Sequence, residues 1–167
     1  MKILLEKILF RSDSARFFKY HELYASRPAA IVRWYCVFRC YYLQRRNAAS
    51  ISMTALFATR PILPHGIAGV FVSKAAVIGK NCTIHQHVII GSNNTPGSKT
   101  NGAPVIGDGC YIGAGAKIVG GIHIGNNVKI GAGCIVAENI PNNATVVMPK
   151  ARIFIKEPLS TEEFVAM

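Results

Sequence analysis

Carboxylates are scarce in this chain. Eight Asp and Glu stand against nineteen Lys and Arg among 167 residues, a formal net charge of +11. The imbalance is greatest at the front. Residues 1–60 hold eleven Lys/Arg with only Glu6, Asp13 and Glu22, whereas residues 61–167 hold eight against five. A basic front attracts polyanions: nucleic acid, an acidic membrane surface or an acidic polymer. Long apolar runs are also missing. The nearest, AAIVRWYCVFRCYYL, is broken by Arg33 and Arg39, which excludes a membrane span. The opening MKILLEKILFRSD is interrupted by Glu6 and Lys7 and lacks a small-residue cleavage site. The expectation is a cytoplasmic protein with reduced thiols. Cys36 and Cys40 lie four apart without a CxxC or a His partner, so they read as a buried stripe rather than a metal pair.

What the chain has is a period of six. Isoleucine falls at Ile112, Ile118, Ile124 and Ile130. That spacing suits neither an amphipathic helix, at about 3.6, nor a half-buried strand, at about 2. The same register runs back through Ile106, Ile90, Ile84, Ile78 and Val72 and forward to Val136. Four places after each key residue stands another apolar group: Ala76, Cys82, Val88, Cys110, Ala116, Ile122, Val128, Cys134 and Ile140. Gly often follows the key residue, and turn-prone pairs such as Lys80-Asn81 and Asn126-Asn127 come next. Each hexad therefore supplies a short strand and a tight corner. Three hexads make one triangular coil, and successive coils pair at about 4.8 Å with their aliphatics stacked inside. One coil cannot bury its own ladder, so several must stack. Cys82, Cys110 and Cys134 point inward in this register.

The period is broken twice. Ile90 to Ile106 is sixteen residues, with the excess in GSNNTPGSKTNGAP. This polar stretch, 92–104, reads as a loop thrown out from a corner, and we expect a mobile flap over the acceptor side of a site. Leu63 to Val72 is nine residues and contains LPHG. Before the hexads, helices are expected over about 3–24 and 29–46, parted at Arg27-Pro28. Trp34, Tyr35, Phe38, Tyr41 and Tyr42 alternate there with Arg33, Arg39, Arg45 and Arg46. Two readings stay open: a membrane-surface helix, or a helix packed on its own protein with its arginines in solvent. The divisions are a helical, basic segment 1–50, a coil domain 51–148 and a tail 149–167.

The hexads resemble those of the hexapeptide-repeat acyltransferases. PHGIAGVFVSKAAVIGKNCTIHQHVIIG and APVIGDGCYIGAGAKIVGGIHIGNNVKIGAG look like the serine acetyltransferase branch. Its short members linked to capsule and exopolysaccharide synthesis look closest. The resemblance covers about 51–155. It implies a left-handed parallel β-helix, which spacing alone does not give. It implies acetyl-CoA as cosubstrate, no metal, and a homotrimer whose sites lie between chains. Two departures stand out. The family's histidine before the proline ending the loop is here Ala103. Its aspartate about fifteen residues before the catalytic histidine falls on Ser50.

Acetyl transfer to a hydroxyl needs a base for the hydroxyl proton, a donor for the oxyanion and an acid for the leaving thiolate. Histidine suits this, with an unperturbed pKa of about 6.5. His65, in LPHG, is the expected catalytic residue. His85, Gln86 and His87, in TIHQHV, are candidates for catalysis or acceptor contact. His123 reads as a solvated outer face, and His21 belongs to the helical front. Its neighbour Glu22 is a candidate replacement for the missing aspartate. By resemblance Gly113, Ala114, Gly115 and Ala132 would offer backbone to the pantetheine arm, and Lys129, Lys150 and Arg152 would meet the phosphates.

The leading functional expectation is O-acetylation of a bacterial surface polysaccharide or its lipid-linked precursor. An acidic glycan, or a peripheral place at the inner membrane, would suit the basic front. The alternative is a small-molecule acetyltransferase of the serine type. Two other classes remain open: a carbonic anhydrase-like trimer recruiting His85, His87 and His123, and a non-catalytic scaffold. Nucleic-acid binding has charge but no reading motif.

Overall fold

The computed structural model describes residues 13–154. Among these residues two helices come first, α1 (Asp13–Ala25) and α2 (Ala30–Arg46). The second matches its expected span to within a residue. Residues 3–12 of the first expected helix, and the tail beyond 154, lie outside the described residues. The helices meet where the Cys40 thiol lies 3.7 Å from the Phe17 carbonyl and the Tyr20 and Tyr35 rings stand 5.8 Å apart; buried are Phe17, Phe18 and His21 of α1 and Cys36, Cys40 and Leu43 of α2. The last three fall at i, i+4 and i+7, one face of a helix. All five described cysteines are free and buried, and burial raises the Cys40 thiol to about 12.

Thirteen short strands, β1 (Ser50–Ile51) to β13 (Thr145–Val146), follow in three all-parallel sheets. The first sheet runs β1, β3 (Phe71–Val72), β6 (Ile89–Gly91), β9 (Lys117–Val119), β12 (Ile135–Val136); the second runs β2 (Leu56–Phe57), β4 (Val77–Ile78), β7 (Val105–Ile106), β10 (His123–Ile124); and the third runs β5 (Thr83–Ile84), β8 (Tyr111–Ile112), β11 (Lys129–Ile130), β13. Consecutive strands thus go to different sheets, as a triangular coil requires. Val72 pairs with Ile51 below and Ile90 above, and Ile78 with Phe57 and Ile106. Ile112 joins Ile84 to Ile130. Every key residue from Val72 to Val136 is buried. The groups four places on are buried as well, except the half-buried Ile140.

The helices close the first coil. The Phe18 ring meets Phe57 edge-on at 5.1 Å. His21 Nε2 lies 3.3 Å from the Ser52 carbonyl. The Gln44 side-chain oxygen accepts from the Ile51 amide, and the Gly69 amide donates to the Asn47 carbonyl at 2.8 Å. Without this cap the end of the aliphatic ladder would face water.

Corners repeat as well. Ala75, Asn81, His87, Gly109, Gly115, Asn127, Gly133 and Asn143 all have positive φ at the same place in the turn. At one edge side chains stitch coil to coil. Asp108 accepts from the Lys80 amide at 2.7 Å, Asn126 from Asp108 at 2.8 Å, and Asn142 from Asn126 at 2.7 Å.

The inserted loop leaves the edge between β6 (Ile89–Gly91) and β7 (Val105–Ile106). Asn93 and Gly102 close its neck with two 2.8 Å backbone bonds. The Asn93 amide nitrogen donates to Ser98 and Thr100 inside it. Its far side docks on Gly120-Gly121. The Gly121 amide donates to the Thr100 carbonyl at 2.8 Å, and a Cβ on Gly121 would come within 2.4 Å of the Asn101 carbonyl. The expected free flap is instead a pinned hairpin, because Gly120 and Gly121 leave room for its backbone.

Two outcomes test the packing. Ile118→Ala should cost about 2–5 kcal/mol in a denaturant titration, whereas Lys117→Ala, beside it on the exposed side, should stay within about 0.5 kcal/mol. The second concerns His21. Burial lowers its pKa below the ordinary 6.5. The unfolded chain then binds the proton more readily, so stability should be full above about pH 6.5 and fall as pH drops below it. A His21→Gln variant should lose that acid-side decline in pH-resolved melts.

Candidate active site

One edge of the prism gathers most of the candidate residues: the edge between the third sheet and the first. Four turns stack there, at 64–70, 85–88, 113–116 and 131–134. Backbone bonds join them. The His87 amide donates to the Ala68 carbonyl at 2.9 Å, Gly115 to Gln86 at 3.0 Å, and Gly133 to Ala114 at 2.8 Å. The register thus places His65, the TIHQHV residues, and both Gly-Ala-Gly corners in one column.

His65 is exposed on the widened first turn. Gly66 and Gly69, at φ 67° and 61°, let the extra residues turn outward without disturbing the ladder. The His65 ring centroid lies 5.7 Å from that of His85, tilted 45°. The His85 ring in turn lies 5.0 Å from Tyr111. Tyr111 was not among the candidates from sequence. The usable signal was register: Tyr111 pairs with Thr83, and so stands one coil above the His85 turn.

His85 is half-buried and its amide donates to the Ile112 carbonyl at 3.0 Å. The Gln86 side-chain oxygen is enclosed and has no hydrogen-bond partner among the described residues. No described side chain hydrogen-bonds the His65 imidazole. Glu22 does not take the role suggested for it. Both its oxygens are held by the Arg60 guanidinium, which also holds its carboxyl below the usual range. Ser50 begins β1 beside Phe71.

The remaining candidates separate. His123 is exposed on β10 (His123–Ile124), in the second sheet and away from the column. His85, His87 and His123 therefore do not meet within one chain. Among the described residues no three His, Cys, Asp or Glu gather as metal ligands. Gly113 has a structural reason to be glycine, since a Cβ would come within 2.7 Å of the Ala132 amide nitrogen. Gly115 and Gly133 face open space, and Ala132 is exposed. Lys129 points outward on β11, paired with Tyr111 and Thr145. Lys150 and Arg152 follow β13 in the tail, with Arg152 over the Phe154 ring at 5.9 Å. The 92–104 loop springs from a different edge, so one chain alone does not bring it over the histidines.

Residues 103–138 match the family model for the bacterial transferase hexapeptide (six repeats). Residues 103–138 therefore carry a repeat of the kind this model describes. The chain is 42% identical over 106 residues to serine acetyltransferase 5 of Arabidopsis thaliana, covering 64% of this chain and 33% of that protein. It is 34% identical over 127 residues to a serine acetyltransferase of Staphylococcus epidermidis, covering 76% and 56%. Among solved structures, serine acetyltransferase isoform 3 of Entamoeba histolytica, in complex with cysteine, superposes with a TM-score of 0.73. The identity is 28%, over 90% of this chain and 53% of that one. The chain thus spans about a third to just over half the length of these relatives.

Within this hexapeptide coil His87 is, with Ala75, one of two unusual corners. It has φ 58°, in a slot filled elsewhere mostly by Gly and Asn. Its ring lies over Gly69, where a Cβ would come within 2.1 Å of Nδ1. A non-glycine residue held left-handed costs stability. His87→Asn should therefore be nearly neutral in urea melts. His87→Val should cost about 1–3 kcal/mol, because a β-branched side chain tolerates this backbone poorly.

Proposed function

We propose that this protein is an acetyl-CoA-dependent O-acetyltransferase acting on a small hydroxylic acceptor of the serine type, with His65 as general base. The observation that carries the reading is the His65–His85–Tyr111 column, on the edge that continues into two stacked Gly-Ala-Gly corners. The names of the relatives favour a small acceptor over the surface polysaccharide that the chain's resemblance first suggested.

In this scheme the acceptor hydroxyl meets the exposed His65 imidazole, which takes its proton as oxygen attacks the thioester. The proton then passes from His65 to the departing thiolate. Ring contact with His85 holds His65, in place of a carboxylate. The Gln86 side-chain oxygen, enclosed and without a partner among the described residues, would meet the acceptor once its side chain turns outward. With Ala103 where the serine enzymes carry a histidine, acceptor contacts fall to His85, Gln86 and His87. The Gly113–Gly115 and Ala132 backbone flanks the pantetheine arm, and Lys129, Lys150 and Arg152 meet the phosphates. A homotrimer of left-handed coils would complete the site, with a neighbour supplying the surface that one chain lacks. A glycan acceptor is the second reading, favoured by the open position of His65.

Coenzyme A release with L-serine and with acidic glycans separates the two readings. The proposal expects turnover with serine. It expects His65→Ala to lower turnover by about two to four orders of magnitude, with coenzyme A binding and melting temperature retained. Turnover with glycan alone would establish the second reading. Full activity in His65→Ala with a dead His85→Ala would move the base one coil on.

A further inference from the structure

Helix α2 is apolar on two opposite faces, and only one is covered. Cys36, Cys40 and Leu43 are buried against α1 and the coil. On the opposite face Ile31, Trp34, Phe38 and Tyr41 are 81%, 77%, 60% and 55% exposed. Their spacing of three, four and three residues places them on one face. Tyr35 and Tyr42 widen the strip. Such a surface is costly to leave in water and marks a docking site.

Charge narrows the occupant. Arg45 and Arg46 are exposed at the end of this strip, while Arg33 lies over Tyr24 of α1. Arg45 lies over the Tyr41 ring at 5.8 Å and Arg46 over Tyr42 at 5.9 Å. No Asp or Glu occurs between Glu22 and Asp108, a stretch holding nine Lys and Arg. A second copy of the same face would oppose arginine to arginine. An anionic surface would not. Trp and Tyr rings sit favourably at the headgroup level of a bilayer, and arginines beside them reach the lipid phosphates. No described helix is long and apolar enough to cross a membrane, so the face would lie on the bilayer rather than span it.

We propose that the exposed Ile31–Tyr41 face of α2, with its flanking arginines, docks this protein on an anionic lipid membrane. The inference is independent of the acetyltransferase reading. Docking would hold the whole coil at a membrane surface and orient its histidine edge relative to it.

Trp34 is the chain's one tryptophan, so its emission reports on this face alone. The full chain is titrated with vesicles of phosphatidylcholine alone and of phosphatidylcholine with phosphatidylserine. The expected result is a blue shift and loss of acrylamide quenching with the phosphatidylserine vesicles, weakened by salt. The Arg45→Glu/Arg46→Glu pair should lower vesicle affinity by about tenfold or more at low salt. Phe38→Ser should weaken it too, and both variants should melt like the parent protein. Emission unchanged by anionic vesicles overturns the proposal. So does a Trp34 already shielded from acrylamide in dilute lipid-free protein, which would mean that residues 1–12 or a second copy cover the face.

Discussion

Stacking of one aliphatic side chain on the next, coil after coil, is the constraint from which the rest of this structure follows. A short strand buries only its second residue, and that residue finds partners only one coil away. The stack therefore forbids any slip in register inside a face. Each buried isoleucine contributes roughly 1.5–3 kcal/mol, whereas residues at the corners contribute little to the core. Change is permitted at corners and nowhere else. Both departures from the period obey this rule: the widened turn bearing His65, and the hairpin at 92–104. The helical pair answers the same constraint, since a ladder must end against something apolar.

The rule also explains how the candidate site residues are brought together. A coil of fixed period returns every third corner to one edge, so residues far apart in sequence become neighbours without a folded pocket. His65, His85 and Tyr111 come together this way, on three successive coils. The ladder itself provides no chemistry. Its thiols illustrate the point: Cys82 and Cys110 lie within it, each with Sγ near a backbone carbonyl at 3.2 and 3.1 Å.

Much of this was legible in the sequence because a period of six is incompatible with other regular structures. The buried set from Val72 to Val136, the inward cysteines and the outward His123 all follow from counting. Counting also placed His85 and His87 one coil from His65. It did not give Tyr111, because an aromatic on the outer side of a strand has no periodic signature of its own. The docking of the inserted hairpin on Gly120-Gly121 was hidden for a similar reason: two glycines at a corner look like turn chemistry until a second backbone is laid against them. Glu22 was assigned by scarcity of carboxylates, and Arg60 took it instead. The helical front carried the least information. There the sequence marked Cys36 and Cys40 as a buried stripe, but only packing showed that Trp34, Phe38 and Tyr41 stay uncovered.

The central claim is that one edge of the coil, and no other surface, handles the substrates. Imidazole chemical shifts of the five histidines, followed by NMR during titration with coenzyme A and then L-serine, test it most directly. The account predicts that His65, His85 and His87 shift while His21 and His123 stay in place. Shifts centred on His123, or none at the His65 edge at saturating coenzyme A, would contradict it.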